Sequence, residues 1–409
     1  MRRQRKDLTK GTPLLAISVL ATAIGAGTND WASAAGSAPP ATETPAQSGA
    51  VRKAKGAAQE HGLHLRFDAA LYDQRASDVL MGSRNLGTVT WQLAGHWRLL
   101  DDGGWGTGSV GWSFLGSQSI GAGATDETLS GNVGSISGLN ANVVPNVAAV
   151  DELFWRHEAA DRRWALLVGR VDQASHFDAN RIANDGYSQF FAFAFENNLS
   201  IPWSTYGGFG GVLRVDLGGG RYVLASVAAV NNEPRVPWSA AGHEGWNQML
   251  EIGTTHTLPG LGRGHVRVTP WHNSIPGADG FGVAINLDQQ LGSGPTCNGP
   301  GPSSGQWIGF FRAGVGDPAV TPVRAFASAG VALQGPFGRT QDRMAIGIAW
   351  SDASPGAGAR DETLIEAYYR FALSPALSLT PDLQLVVDPA LDPDAQDTVV
   401  LGLRLHLTL

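Results

Sequence analysis

The feature that most constrains this chain is a period of two. From Val399 to the last residue every second position is apolar: Val399, Leu401, Leu403, Leu405, Leu407 and Leu409. Val400, Gly402, Arg404, His406 and Thr408 sit between them. Successive side chains of a strand point to opposite faces, so this alternation predicts a strand with one dry face and one wet face. The pattern recurs from His61 onward. In "LHLRFDAALY", Leu63, Leu65, Phe67, Ala69 and Leu71 take one face, while His64, Arg66, Asp68 and Tyr72 take the other. Val89, Trp91, Leu93 and Trp97 oppose Gln92, His96 and Arg98 in the same way.

Followed along the chain, the alternation predicts sixteen strands. They lie near 63–72, 87–99, 105–115, 149–158, 163–172, 209–217, 221–230 and 247–257. The second half gives 264–272, 281–288, 307–315, 326–334, 343–350, 363–373, 377–387 and 398–409. A tilted strand needs roughly 9–11 residues to cross a bilayer, and these segments have that length.

The connections narrow the choice further. Those at 101–104, 159–162, 218–220, 259–263 and 374–376 are short. They alternate with long ones at 116–148, 173–208, 231–246, 351–362 and 388–397. With the first strand starting on the periplasmic side, short turns fall on that side and long loops outside, the asymmetry of outer-membrane barrels. The 289–306 connection, which holds the single cysteine, Cys297, is long where a short turn is expected. An even strand count returns the C-terminus beside the first strand and closes the sheet without a free edge. A soluble β-sandwich also alternates, but it does not need loops sorted by side.

Composition agrees. Gly is 54 of 409 residues and only 16% of residues are charged, which favours strands and turns over helices. No run outside the N-terminus reaches the roughly 18 apolar residues of a membrane helix. The N-terminus reads as an export signal: a cationic start, a short apolar segment at 14–24, and Ala32-Ser33-Ala34 as the cleavage site. Residues 1–34 are thus expected to be a signal peptide, 35–60 a disordered periplasmic lead-in, and 61–409 the barrel. Removing 1–34 takes away five Lys/Arg and two Asp/Glu, moving the formal charge from −7 to −10. That balance argues against nucleic acid, which needs a basic footprint. One cysteine in an exported chain leaves no internal disulfide, and Cys297 reads as a loop residue.

A barrel of sixteen strands is wide enough for a water channel lined by the polar strand faces. Arg66, Asp68, Arg98, Glu152, Arg156, Arg170, Asp172, Arg214, Asp216, Arg267, Arg312, Glu366, Arg370 and Arg404 are the expected inward groups. The alternative for each is a merely wetted residue. The 116–148 connection, rich in Gly, Ser and Asn, reads as a solvated surface loop. The 173–208 connection differs: Phe177, Tyr187, Phe190, Phe191, Phe193, Phe195 and Trp203 stand among Asn, Asp, Arg and Glu. A loop this apolar must pack against something. Folded into the barrel mouth, it would narrow the pore and offer ring faces and hydrogen-bonding groups to sugars; bracing the wall is the alternative.

Residues 169–198, "GRVDQASHFDANRIANDGYSQFFAFAFENN", resemble the carbohydrate-selective porin family of bacterial outer membranes. "GPFGRTQDRMAIGIAW" and "EAYYRFALSPALSLTPDLQLVVDP" are similar to two hairpins of that family. The resemblance extends through the chain from about residue 61. It implies passive diffusion of mono- and small oligosaccharides through a sixteen-stranded barrel with a charged and aromatic constriction, and no cofactor. By position, Arg170, Asp172, Asp178, Asn180 and Arg181 fall in the family pattern. Asp185-Gly186-Tyr187 stands where the family often has Asp-Glu-Asn, and Leu409 where it commonly ends on an aromatic residue. The resulting expectation is an all-β, 16-stranded antiparallel transmembrane barrel acting as a sugar porin, not an enzyme. A general or anion-preferring diffusion porin is the alternative. Asp185 and Trp203 join the candidate sugar contacts. Expected partners are outer-membrane lipid, sugars or other small polar solutes and the barrel assembly machinery, with the chain a monomer or a trimer.

Other motifs carry little. "GTGSVG" matches a dinucleotide-binding pattern but lies in a strand with no helix after it. The ten histidines show no metal-binding spacing, and "DPALDPDAQD" lacks the spacing of a calcium loop.

Overall fold

In the computed structural model, the described residues are 59, 61–121, 128–143, 147–230, 234, 244–292, 305–358 and 360–409. The expected signal peptide, the lead-in (Gln59 aside) and Cys297 lie outside them.

The alternation resolves into sixteen strands. They are β1 (Leu63–Ala76), β2 (Asn85–Asp102), β3 (Gly106–Ile120), β4 (Val147–Glu158), β5 (Trp164–Val171), β6 (Gly208–Gly218), β7 (Arg221–Ala229) and β8 (Trp246–Leu258). The second half contributes β9 (Gly262–Ile275), β10 (Ala278–Leu291), β11 (Gln306–Gly316), β12 (Val323–Gln334), β13 (Arg343–Ala353), β14 (Glu362–Ala372), β15 (Leu377–Val387) and β16 (Thr398–Thr408). Each pairs antiparallel with its neighbours in sequence, and β16 pairs with β1, so the sheet is a closed barrel. All sixteen predicted strands are present. Several are longer than the apolar pattern alone marked, β10 most of all.

Alternation translates directly into two environments. On β16 the outward Val399, Leu401, Leu403 and Leu405 are exposed, whereas Val400, Arg404 and His406 are buried. The outer surface carries an apolar band: Leu65, Leu71, Leu213, Ile252, Val283, Ile346, Ile348 and Leu383 are all exposed on it. Trp97, Trp155, Trp164 and Trp307 ring the end with the short turns, and Phe281 and Trp350 stand toward the other end. An apolar band edged by aromatics is how a barrel meets a bilayer.

The ends differ as expected, with exceptions at both. At the turn end, the β10–β11 connection is long. At the loop end, β9 and β10 join through residues 276–277 alone, with Gly277 at φ 84°. Closure rests on the chain end: Leu409 N–H donates to Phe67 O (2.8 Å), and Phe67 N–H donates back to Leu409 O (3.1 Å).

The core lies inside the barrel, not between layers. Two chain segments fold inward from the loop end. One is 128–143, with α1 (Leu129–Val133) capped by Thr128; the other is 172–207, with α2 (Phe193–Glu196). The described part of the first overturns the expectation of a solvated loop: Leu129, Val133, Ile136, Leu139 and Ala141 are all buried. Its Gly, Ser and Asn content reflects close packing against a second inserted segment, not exposure. The two inserts also pair by backbone hydrogen bonds, Ala141 N to Phe191 O (2.7 Å), Phe193 N to Gly138 O (2.7 Å) and Ala194 N to Ser137 O (3.0 Å).

Candidate functional site: a constriction built on an inward loop

The 172–207 segment carries apolar rings and many unpaired backbone groups into the barrel, so each needs a partner from the wall. Polar positions of the strands supply them. Arg312 on β11 donates to Phe195 O (2.7 Å) and Asp178 O (2.9 Å) and pairs with the Asp178 carboxylate at 2.9 Å. Asn286 on β10 donates to Asp178 O (2.6 Å) and accepts from Asn180 Nδ2 (2.8 Å). Glu251 on β8 accepts from Asp178 N–H (2.9 Å) and is itself held by Tyr222 OH (2.7 Å). Asp178 has φ 55°, a left-handed conformation that Asp tolerates better than most residues.

On the opposite wall, Glu366 of β14 accepts from the backbone N–H groups of Phe191 and Ala192. Arg404 of β16 donates to Gly186 O (2.6 Å) and Gln189 O (2.8 Å) and lies 4.4 Å from the centre of the Phe191 ring. Tyr72 of β1 donates to Gly186 O at 2.8 Å. The other insert is fastened in the same manner: Glu362 accepts from Ser135 Oγ (2.7 Å), Ile136 N (3.0 Å) and Ser137 N (3.1 Å).

Close approach is allowed by glycine. A Cβ on Gly347 would meet the Phe195 ring at 2.7 Å, and one on Gly402 would meet the Phe191 ring at 2.9 Å. Phe190 stacks on Phe195 with centroids 4.6 Å apart, and Tyr368 meets Phe190 edge-on at 5.0 Å.

This packing corrects the expected role of the aromatics. Phe177, Tyr187, Phe190, Phe191, Phe193 and Phe195 are all buried and present no ring face to solute. Only Trp203 stays half-exposed; its indole N–H donates to Asn198 O (2.9 Å), and it lines a pocket of about 160 Å³ at the loop end with Leu199, Ile201 and Val320. Between Phe177 and Ser200, three side chains keep partial exposure: Arg181, Asp185 and Ser188. Their spacing of four and three residues is set by turns, since Asp185 caps its own turn by accepting from Tyr187 N–H (2.9 Å) and Ser188 Oγ (2.6 Å).

On the wall, Arg66, Arg343 and Arg370 are inward and partly exposed. Asp185 lies within electrostatic reach of both Arg66 and Arg370. Arg66 is held by Asp68 (2.5 Å), which also takes His406 Nε2 at 2.8 Å. Arg343 and Arg370 are directly opposed on β13 and β14 and bond to neutral acceptors, Gln334 Oε1 (3.0 Å) and Gln341 O (3.1 Å). The constriction therefore sets guanidinium donors on the wall against a carboxylate and a hydroxyl on the loop.

The remaining expected groups take several roles. Glu152, Asp178, Asn180, Arg267, Glu366 and Arg404 are buried and act as fasteners, with Glu152 accepting from His176 Nε2 at 2.9 Å. Asp172 is a buried cap, accepting from Ala174 N (3.1 Å) and Ser175 Oγ (2.9 Å); burial, with the Glu152 charge next, pushes its carboxyl up to about 6. Arg181 pairs with Asp288, which also binds His265 (2.8 Å) and Arg267 (3.2 Å). Arg214 stacks 4.1 Å over Tyr222, while Arg98 and Arg156 stand well below the loop, at the turn end.

Arg170 departs from expectation. Its register partners Leu153 and Phe209 belong to the outward set, yet it is only 1% exposed, buried with Asp151, Asp172 and Tyr206 around it. A bulge causes this crowding: β3 and β4 shift register at Ser113/Phe114, so Asp151 and Glu152 both turn inward in succession. Glu251, Asn286, Asp288, Glu362 and Arg343 were not singled out from the sequence, although each lies on the polar phase of its strand. Among the described residues no cluster of three or more His, Cys, Asp or Glu side chains could hold a metal ion.

Known proteins now give the arrangement a context. Residues 277–409, β10 through β16, match the model of the carbohydrate-selective porin, OprB family. This third of the chain is OprB-like. A structure of Pseudomonas putida OprB at high pH resembles the barrel with a TM-score of 0.73, at 15% identity, over 90% of this chain and 99% of that one. The low-pH structure of the same OprB gives 0.55, at 14% identity, over 89% and 98%. At such identities the likeness establishes the fold. Porin AaxA of Chlamydia pneumoniae is 34% identical over 95 residues, and that of Chlamydia trachomatis serovar L2 is 35% identical over 95. In the first, the matched stretch is 22% of each chain. The OprB match covers the two C-terminal hairpins that carried the sequence resemblance; residues 169–198 fall before it.

Proposed function

We propose that this protein is an outer-membrane porin for passive diffusion of carbohydrates, narrowed by the 172–207 loop. The carrying observation is the constriction: Arg66 and Arg370 on the wall within electrostatic reach of Asp185 on the loop, with Ser188 bonded beside it. Sugars need donors and acceptors for their hydroxyls, and a guanidinium fork supplies donors that neutral hydroxyls accept. The OprB-like C-terminal third supports the same reading, and the apolar outer band suits an outer membrane. The chain is a channel and not an enzyme; exit from the cell would follow signal-peptide cleavage near Ala34, and assembly would use the machinery that inserts barrels.

Osmotic swelling of liposomes holding the purified full chain tests this. Mono- and disaccharides should enter faster than uncharged polyols of equal size are admitted by a non-selective pore, and rates should fall with size. Entry of anions with exclusion of sugars would overturn it in favour of an anion-preferring channel. No swelling with any solute would overturn both.

A further inference from the structure

At the turn end, below the loop, the first four strands enclose a separate pocket of about 410 Å³. Its floor is β3, where the lining residues are small: Gly106, Thr107 and Ser109. Register places Arg98 opposite Ser109 on one side and Arg156 opposite Ser109 on the other. Two long guanidinium side chains therefore flank a position that offers only a hydroxyl, which is what makes the surface concave. His64 and His96, directly opposed on β1 and β2, stack with centroids 4.5 Å apart and close the third side.

Charge is unbalanced within this hollow. Arg98, Arg156 and Arg162 line it, against Asp101 and Glu158. Glu158 serves two of the cations, at 2.6 Å from Arg156 and 3.8 Å from Arg162, and Asp101 lies 3.4 Å from Arg98. The Arg98 and Arg162 pairs are long and well exposed, the kind that holds weakly in water. Three guanidiniums face two carboxylates before either imidazole carries a charge.

We propose that this pocket binds small hydroxylated anions, either a phosphate monoester or a sugar carboxylate. Guanidinium forks match the oxygen spacing of both oxyanions, and charge-assisted bonds of this type are stronger than those to neutral hydroxyls. Ser109 and Thr107 offer hydroxyl partners for the rest of such a solute. The volume falls in the usual range of small-molecule sites. None of Arg181, Asp185, Ser188, Arg343 or Arg370 lines the pocket, so the site is distinct from the constriction, and its chemistry does not depend on which solutes pass there.

The test is calorimetric titration of the full chain in detergent with inorganic phosphate, glucose 6-phosphate, glucuronate and glucose. Phosphate and glucose 6-phosphate should bind saturably, the latter at least about tenfold more tightly than glucose. The R98Q/R156Q pair should weaken phosphate by about tenfold or more. S109L keeps every charge but fills the floor, and should abolish glucose 6-phosphate binding. R324Q, an exposed cation at the loop end, should change neither. Folding of each variant is read from its heat-dependent gel mobility, and S109L carries the test should the double variant fail to fold. Absent saturable binding, binding that survives S109L and R98Q/R156Q, or an equal loss in R324Q each overturns the proposal.

Discussion

Two buried residues, one on the wall and one on an insert, show how much one side chain can control. Arg312 ties Phe195, Asp178 and the wall together with no exposure to water. Removing one partner of such a buried pair typically costs about 3–5 kcal/mol, because the other charge is left unmet. Arg312→Ala is expected to loosen the loop and not the sheet. Unit conductance and current noise should rise while strand content by circular dichroism stays unchanged. Glu196 is the converse case. It is buried on α2, and neither carboxylate oxygen has a partner of normal hydrogen-bond geometry. Burial, with the Asp185 charge next, pushes it up to about 8 from 4.5, an effect that Gly186 N–H and Arg312 only partly offset. A carboxyl raised on folding is held best when protonated. Its contribution is full below about 4.5, declines as pH rises toward 8, and is lost above that. Glu196→Gln should therefore flatten part of the fall in thermal stability between those pH values. An unchanged slope would mean that the group is solvated.

At the level of elements, the strands were legible because a period-two pattern leaves no freedom about which face is which. The inserts were only half legible. The rings at Phe190, Phe191 and Phe195 announced that 172–207 must be packed. Nothing in the local pattern said whether they face solute or wall, because that depends on glycines far away in sequence, Gly347 and Gly402. The 128–143 segment misled for a related reason. Its small polar residues suit a surface loop, and also suit a backbone that is itself hydrogen-bonded to a neighbouring insert and to Glu362. Fasteners such as Asn286 and Glu251 look in sequence like any wetted residue, and their role comes only from where the loop lands. Gly347→Leu tests this contact. Overpacking a filled space usually costs about 1–3 kcal/mol, and here the side chain would strike Phe195. The melting temperature should fall and the loop should become sensitive to protease, whereas Ile348→Leu, on the outward face, should leave both unchanged.

For the whole molecule, the closing strand explains why order persists to the last residue. β16 pairs along its length with β1, and His406 reaches Asp68 while Arg404 reaches the loop beside Tyr72. Arg404 and His406 are therefore not wet, as the alternation alone suggested, but covered by the insert that they hold. Barrel and plug form one unit, so closure of the sheet and placement of the constriction should be lost together on unfolding. We propose that water and small polar solutes pass between Arg66 and Arg370 on the wall and Asp185 and Ser188 on the loop. Single-channel current through the full chain in a planar bilayer, recorded as mono- and disaccharides are added, tests it most directly. Wild type should show a steady open current that sugar reduces reversibly, and D185A/S188A should keep the current while losing most of the sugar effect. A channel that stays closed, or an open current that sugar leaves untouched, would rule this path out.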